Sequence, residues 1–419
     1  MALQNCAAYW ETGSLEARLK KIPSGLAHEK DAQMIRKVGI LMVLGLAACG
    51  SLGKKAAAPA AQGAPGAQSF SGPITRFIGR VDATNPNSVI MSWPGTAVET
   101  RFTGTVITAT VMAGPTQTGI APPAQTLVDL IVDGQAPVTV AVMATPTQVT
   151  TTVASGTHTA RLVKRTEALF GNMTFMGFTT DGKLLNTATP PTRLIEFVGD
   201  SITAGLGVEG SGNPNCKSLD PNVENASKSF AYVTAATLNA DFSLIGWSGK
   251  GVYKNRSASD TVTLPQLYSA IDPTVTSTAY AFPTTVAAQP QVVVVNLGTN
   301  DFAFFANQPT PTVPDQAGYT AALQGLTATI RGHYPSAKII LAIGPILSTD
   351  SPVTGQLNTW RSYVQSVVAA LNNAGDTKVS FFEFTPLTSN FGCDYHPNAV
   401  AAQSMAAALS AQIKTLMAW

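Results

Sequence analysis

Leu194-Ile195-Glu196-Phe197-Val198-Gly199-Asp200-Ser201-Ile202-Thr203 is the stretch from which the fold can be read. Apart from Glu196 its first five residues are apolar, the pattern of a strand buried on both faces. Gly199-Asp200-Ser201 ends the run. A serine at a strand-to-helix junction exposes its hydroxyl and can aim its backbone N–H at developing negative charge. The plain alternative is a serine that only caps the next helix, and the tripeptide alone does not choose.

Four runs of the same kind follow, at Phe242–Ile245, Gln291–Asn296, Lys338–Ile343 and Val379–Phe384. Helical stretches alternate with them at Ser229–Asn239, Asp315–Gly332, Gly355–Asn373 and Pro397–Met417. This alternation predicts a doubly wound, flavodoxin-like α/β domain with a parallel sheet over residues 191–419. In such domains sites form beyond the carboxyl ends of the strands.

Those ends carry the polar residues. After the second run stands Trp247-Ser248-Gly249-Lys250-Gly251, where a glycine lets backbone approach a ligand with its N–H free. Gly249 and Gly251 both fit that part, and spacing does not separate them. After the third stands Asn296-Leu297-Gly298-Thr299-Asn300-Asp301, in which Asn300 offers an amide donor and Asp301 a cap for the next segment. After the fifth comes Asp394-Tyr395-His396-Pro397-Asn398. Of the histidines past the export segment described below, His158 sits in a strand pattern and His333 near a helix end. Only His396 lies in a loop before a helix, with Pro397 suited to the first turn. Ser201 as nucleophile with His396 as general base is the chemistry this order of residues allows.

Residues 73–190 read differently. Short alternating runs at Thr75–Val81, Ser88–Trp93, Thr103–Met112, Leu127–Val132, Val138–Met143, Gln148–Val153, His158–Lys164 and Met173–Phe178 are separated by turn residues such as Asn85-Pro86-Asn87, Ser155-Gly156 and Asp181-Gly182. They predict a β-sandwich of jelly-roll kind, in which no chemistry is expected to assemble.

Upstream, Arg36 and Lys37 precede an apolar stretch from Val38 to Ala48 that ends at Cys49. Eleven residues are too few to span a bilayer, which takes about 20. Basic, apolar and small-residue regions in that order describe an export signal over 34–49, and a cysteine at the cut resembles the bacterial lipobox, with Cys49 carrying the lipid. Residues 50–72, rich in Ala, Gly and Pro, read as a flexible tether. Residues 1–33 then read as an over-extended start, with Met34 as initiator. The expected location is the bacterial cell envelope, with the membrane met through the anchor alone. Export places Cys216 and Cys393 in an oxidising compartment, where they are expected to pair.

The formal net charge of the 419-residue chain is +2, only 12% of its residues are charged, and no polybasic run occurs, so the footprint of a nucleic-acid binder is missing. No two histidines, and no histidine with a cysteine, fall at metal-ligand spacing, so no metal or cofactor is expected. A monomer is expected.

The motifs at Gly199–Thr203, Ser248–Gly251, Gly298–Asp301 and Asp394–Pro397, in this order, resemble those of the SGNH hydrolases. The stretches Arg161–Glu167, Ile195–Gly205 and Gly392–Asn398 look more closely like carbohydrate esterase family 2, over residues 73–419. The resemblance implies a jelly roll joined to an SGNH domain and removal of acetyl groups from polysaccharides such as xylan and glucomannan. It implies Ser201 and His396 as the catalytic pair, with the N–H groups of Ser201 and Gly249 and the amide of Asn300 around the oxyanion. SGNH hydrolases commonly place an aspartate three residues before the histidine; here that position is Cys393, and Asp394 lies two before. Either Asp394 reaches the ring, towards which we lean, or a backbone carbonyl orients it. Two other readings stay open: a lipase or thioesterase with an apolar slot beside Ser201, and a carbohydrate-binding lipoprotein using Trp247, Tyr253, Phe302 or Tyr395 as stacking surfaces.

Overall fold

The computed structural model describes residues 74–114, 125–210, 216, 219–275, 279–347 and 353–419. The export segment, Cys49 and the tether lie outside the described residues.

The first half is antiparallel. Its strands are β1 (Thr75–Ile78), β2 (Val81–Asp82), β3 (Val89–Met91), β4 (Ala97–Ala113), β5 (Leu127–Val132), β6 (Val138–Ala141), β7 (Thr147–Lys164), β8 (Met173–Thr180) and β9 (Lys183–Leu185). They form one continuous ladder, β2-β3-β8-β4-β7-β5-β6, with β1 and β9 also paired to β4. Ser155-Gly156 is not the separator that its composition predicts. Strand β7 runs through it for 18 residues, because Gly156 pairs with Gly104 of β4 at a bulge. The carboxylate of Asp181 fills that bulge, accepting the N–H groups of Thr105 at 2.8 Å and Val106 at 3.0 Å. Beyond the bulge the ladder folds over, so Val128 and Leu130 of β5 share one core with Phe175 and Phe178 of β8, although these strands do not pair.

The second half is a five-stranded parallel sheet: β10 (Arg193–Gly199), β11 (Ala240–Gly246), β12 (Val292–Asn296), β13 (Lys338–Ile343) and β14 (Val379–Glu383). Every residue of β12 is buried, as a strand covered on both faces requires. The spatial order is β11-β10-β12-β13-β14. The chain leaves β10 towards one side and β12 towards the other, so a crevice opens between their carboxyl ends. Among the helices are α1 (Ser201–Ala204), α2 (Phe230–Thr237), α3 (Leu264–Leu267), α4 (Thr299–Ala306), α5 (Gln316–His333), α6 (Gln356–Asn373) and α7 (Ala399–Met417). In α5 the buried residues Tyr319, Leu323, Leu326, Thr327 and Ile330 recur every three or four positions, one face of a helix laid on the sheet. Helix α7 starts two residues after Pro397, because Asn398 caps it by accepting the N–H groups of Val400 and Ala401 at 3.0 Å.

The halves share their interior. Trp93 and Ala168 of the first half belong to the same core cluster as Val198 and Val295 of the second. Arg80, fully buried, reaches Glu196 in the middle of β10 at 2.9 Å and also donates to the carbonyl of Tyr268.

Candidate active site

Ser201 is the first residue of α1, directly beyond the carboxyl end of β10. Asp200 caps this one-turn helix through the N–H of Ile202 at 3.0 Å, and Gly205, in the left-handed region at φ 87°, ends it. A side chain at Gly205 would meet the carbonyl oxygen of Asn225 at 2.5 Å, so only glycine closes this turn. The chain is held at both ends, which fixes the serine.

His396 Nε2 lies 2.7 Å from Ser201 Oγ, and both side chains are buried. On the far side of the ring, Nδ1 is 3.0 Å from the backbone oxygen of Asp394 and 3.2 Å from that of Cys393. Nδ1 therefore donates to main-chain carbonyls, which leaves Nε2 unprotonated and facing the serine hydroxyl. This corrects the leaning towards an Asp394 carboxylate on the ring: that residue contributes its carbonyl. The physical reason lies in the backbone. Asp394 and Tyr395 are both left-handed, at φ 51° and 60°, and this turns the carbonyls inward. Cys393, beside them, is buried, donates its N–H to Gly207 at 3.0 Å and is disulfide-bonded to Cys216 with their Cα atoms 5.3 Å apart.

Around the pair stand possible donors. The Asn300 amide donates to the carbonyl of Lys250 at 2.8 Å and lies 3.4 Å from the Asp200 carboxylate. It therefore bridges the residue before Ser201 and the residue after Gly249. Gly249 has φ 79°, has no atom within 4 Å of a built Cβ, and borders open space. Among the described residues its N–H has no acceptor. Gly251 is different: its N–H goes to the Asn255 side chain at 3.0 Å, and a Cβ there would strike the Lys254 carbonyl. Of the two glycines that spacing left open, Gly249 is therefore the one whose N–H has no acceptor among the described residues. Asp301 does not cap the next segment. It accepts the N–H groups of Val252 at 3.1 Å, Tyr253 at 2.7 Å and Lys254 at 2.8 Å, and so shapes the glycine loop.

Burial sets the electrostatics. It lowers the pKa of His396 below the ordinary 6.5, which keeps the ring neutral and basic into mild acid. It pushes Asp200 up to about 7 and Asp301 up to about 6, although both accept backbone N–H groups.

The other two described histidines are occupied elsewhere. His158 has Asp133 at 2.7 Å on one nitrogen and the Ala154 carbonyl at 2.9 Å on the other, and His333 stacks on Phe282 at 3.5 Å. Of the candidate stacking aromatics, Trp247 and Phe302 are buried in the core. Tyr253 is half-buried and bonded to Asp315 at 2.9 Å, while Tyr395 is 51% exposed immediately beside His396. Among the described residues no three His, Cys, Asp or Glu side chains are grouped to hold a metal.

Glu167, in the connection between β7 and β8, accepts the N–H of Ser248 at 2.6 Å and its hydroxyl as well, a contact that sequence reasoning did not anticipate. The antiparallel half thus reaches the glycine loop of the parallel half through a side-chain contact. The signal available was the Arg165-Thr166-Glu167 stretch itself, which carried a resemblance and no mechanism.

A Ser–His pair at the switch point of a doubly wound sheet, with amide donors beside it, defines a serine hydrolase. Two family models match: "Carbohydrate esterase 2 N-terminal" over residues 77–190 and "GDSL-like Lipase/Acylhydrolase family" over residues 197–403. A family two carbohydrate esterase from Clostridium thermocellum, solved with cellohexaose, shares 35% identity and a TM-score of 0.73, covering 82% of this chain and 99% of that one. The cellulase/esterase CelE of Acetivibrio thermocellus is 36% identical over 82% of this chain but only 39% of its own length. An acetylxylan esterase/glucomannan deacetylase of Cellvibrio japonicus is 25% identical over 83% of this chain and 90% of its own length. The chain belongs to carbohydrate esterase family 2, and is a carboxylic ester hydrolase.

Proposed function

We propose that the chain removes O-acetyl groups from plant cell-wall polysaccharides of the xylan and glucomannan kind through an acyl-enzyme. The observation that carries this is the 2.7 Å contact between His396 Nε2 and Ser201 Oγ, with Nδ1 held by main-chain carbonyls. His396 takes the serine proton as Oγ attacks the ester carbonyl carbon, and the resulting oxyanion meets the N–H groups of Ser201 and Gly249 and the amide of Asn300, which exchanges its long 3.4 Å contact with Asp200 for the oxyanion. Collapse breaks the bond to the sugar oxygen, which takes the proton from Nε2. Water, deprotonated by the same nitrogen, then releases acetate and restores Ser201. Through both halves the imidazolium keeps its Nδ1 proton on the carbonyls of Asp394 and Cys393.

Exposed Tyr395 beside His396 offers a face to a sugar ring. The names of the relatives supply the polysaccharide class. The signal-like segment ending at Cys49 supports export and a lipid anchor on the bacterial envelope.

The test is acetate release from acetylated xylan, acetylated glucomannan and 4-nitrophenyl acetate by wild type, Ser201→Ala and His396→Ala. Both variants should fold and lose activity. Either one retaining activity within tenfold of wild type refutes the mechanism.

A further inference from the structure

Glu167 lies in the connection between β7 and β8 and is fully buried. Its two carboxylate oxygens are spent on one residue: Oε2 accepts the Ser248 N–H at 2.6 Å and Oε1 accepts the Ser248 hydroxyl. Its own N–H donates to Glu224 Oε1 at 2.6 Å, and its carbonyl accepts from Lys164 Nζ at 3.0 Å. The carboxylate is thus clamped from both sides. The N–H it holds belongs to the Trp247–Ser248 peptide and the hydroxyl to the Ser248 side chain, so Ser248 is fixed at its backbone and its side chain together. The next peptide along carries the Gly249 N–H, which has no acceptor among the described residues. Charge-assisted bonds of this kind are about twice as strong as neutral ones.

We propose that Glu167 is a positioning residue for the oxyanion site, holding the Gly249 N–H in the direction that the tetrahedral intermediate requires. This rests on the esterase reading above and extends the catalytic machinery into the antiparallel half. A buried group with no substrate contact acts on turnover and leaves substrate affinity nearly unchanged, because the oxyanion forms only after binding. Protonation of the carboxyl removes an acceptor from the Ser248 peptide, so the device is also acid-sensitive. Burial raises the Glu167 pKa, against the pull of Ser248, Lys164 and Lys250; Glu224 and Asp200 are the acidic groups that face it.

The experiment is steady-state kinetics of the full chain on 4-nitrophenyl acetate from pH 5 to 8, with Glu167→Gln, Ser248→Ala and Ser201→Ala side by side. In Glu167→Gln the new amide sets its own N–H groups against the Ser248 donors. The expected result is a kcat lower by about 10²-fold with KM within threefold, up to the loss for removing an oxyanion donor outright. Ser248→Ala, which removes one of the two bonds and cannot disturb the fold much, should lose about tenfold in kcat by the same reasoning. The acid limb of kcat should be shallower in Glu167→Gln than in wild type, because one titrating group is gone, a change that a merely structural role does not produce. A kcat for Ser248→Ala and for folded Glu167→Gln within twofold of wild type, or an unchanged acid slope, overturns the proposal. If Glu167→Gln does not fold, Ser248→Ala alone decides it. Loss of activity in Ser201→Ala alongside unaffected Ser248→Ala sinks this inference alone, whereas an active Ser201→Ala sinks the esterase reading.

Discussion

Replacing Asp394 by asparagine removes a carboxylate from the residue whose carbonyl orients His396, and leaves that carbonyl in place. In a triad, loss of a carboxylate that holds the far ring nitrogen costs about 10⁴ in turnover. Here Nδ1 is 3.0 Å from the Asp394 backbone oxygen, so the substitution removes only a through-space attraction for the imidazolium. For a half-exposed charge near water that attraction is about 1 kcal/mol at about 4 Å, or about fivefold in rate. Asparagine also tolerates the left-handed φ of 51°, whereas alanine adds about 1 kcal/mol of backbone strain to the same loop. The expected order in kcat/KM on 4-nitrophenyl acetate at pH 8 is wild type, then Asp394→Asn about fivefold lower, then Asp394→Ala lower by about a further fivefold. His396→Ala should lie orders of magnitude below all three. The acid limb should also move to lower pH in Asp394→Asn, because the Asp394 charge raises the His396 pKa. A loss of 10³-fold or more in Asp394→Asn, or an alanine variant more active than the asparagine one, refutes the main-chain account.

Asn300→Ala should lower kcat by about 10²–10³ with KM little changed, as for an oxyanion donor; a KM effect without a kcat effect would place Asn300 on substrate instead. Cys216→Ser should cost about 2–5 kcal/mol of stability and also lower kcat, because the bridge anchors the residue next to the Asp394 carbonyl; chemical denaturation with kinetics on the same sample checks both. Asp200 and Asp301 are raised from 3.8 to about 7 and about 6, so the folded chain holds more protons than the unfolded one across that window. Their contribution to stability is complete below the unfolded value and lost as pH rises through the folded values. The melting temperature should therefore be higher at pH 5 than at pH 8, and a rise over that interval contradicts the burial argument.

The parallel half was readable because each strand is a short apolar run ended by polar residues, and buried strands have no other way to look. All five runs lie within two residues of the strands, and Ser201, Gly249, Asn300 and His396 all stand just past strand ends or just before a helix. The antiparallel half was less legible. Ser155-Gly156 has turn composition but sits inside β7, where the glycine pairs across a bulge, and only the partner strand reveals that. The orientation of His396 was hidden for another reason: its partner is a carbonyl oxygen, which every residue owns, so side-chain identity carries no trace of it. Glu167 was hidden by distance, its partner Ser248 being 81 residues further along the chain.

The boundary near residue 190 is a seam in the sequence and not in space. Glu196, in β10 of the parallel half, is neutralised by Arg80 from the other half, and Trp93 and Ala168 of that half join the core beneath the parallel sheet. A chain cut at this boundary would leave Glu196 as a buried charge with no counter-ion, a loss that typically costs about 3–5 kcal/mol, and would uncover apolar surface besides. The catalytic half recombined alone onto another protein is therefore expected to lose stability, and the unit to duplicate, shuffle or graft is the pair of halves together.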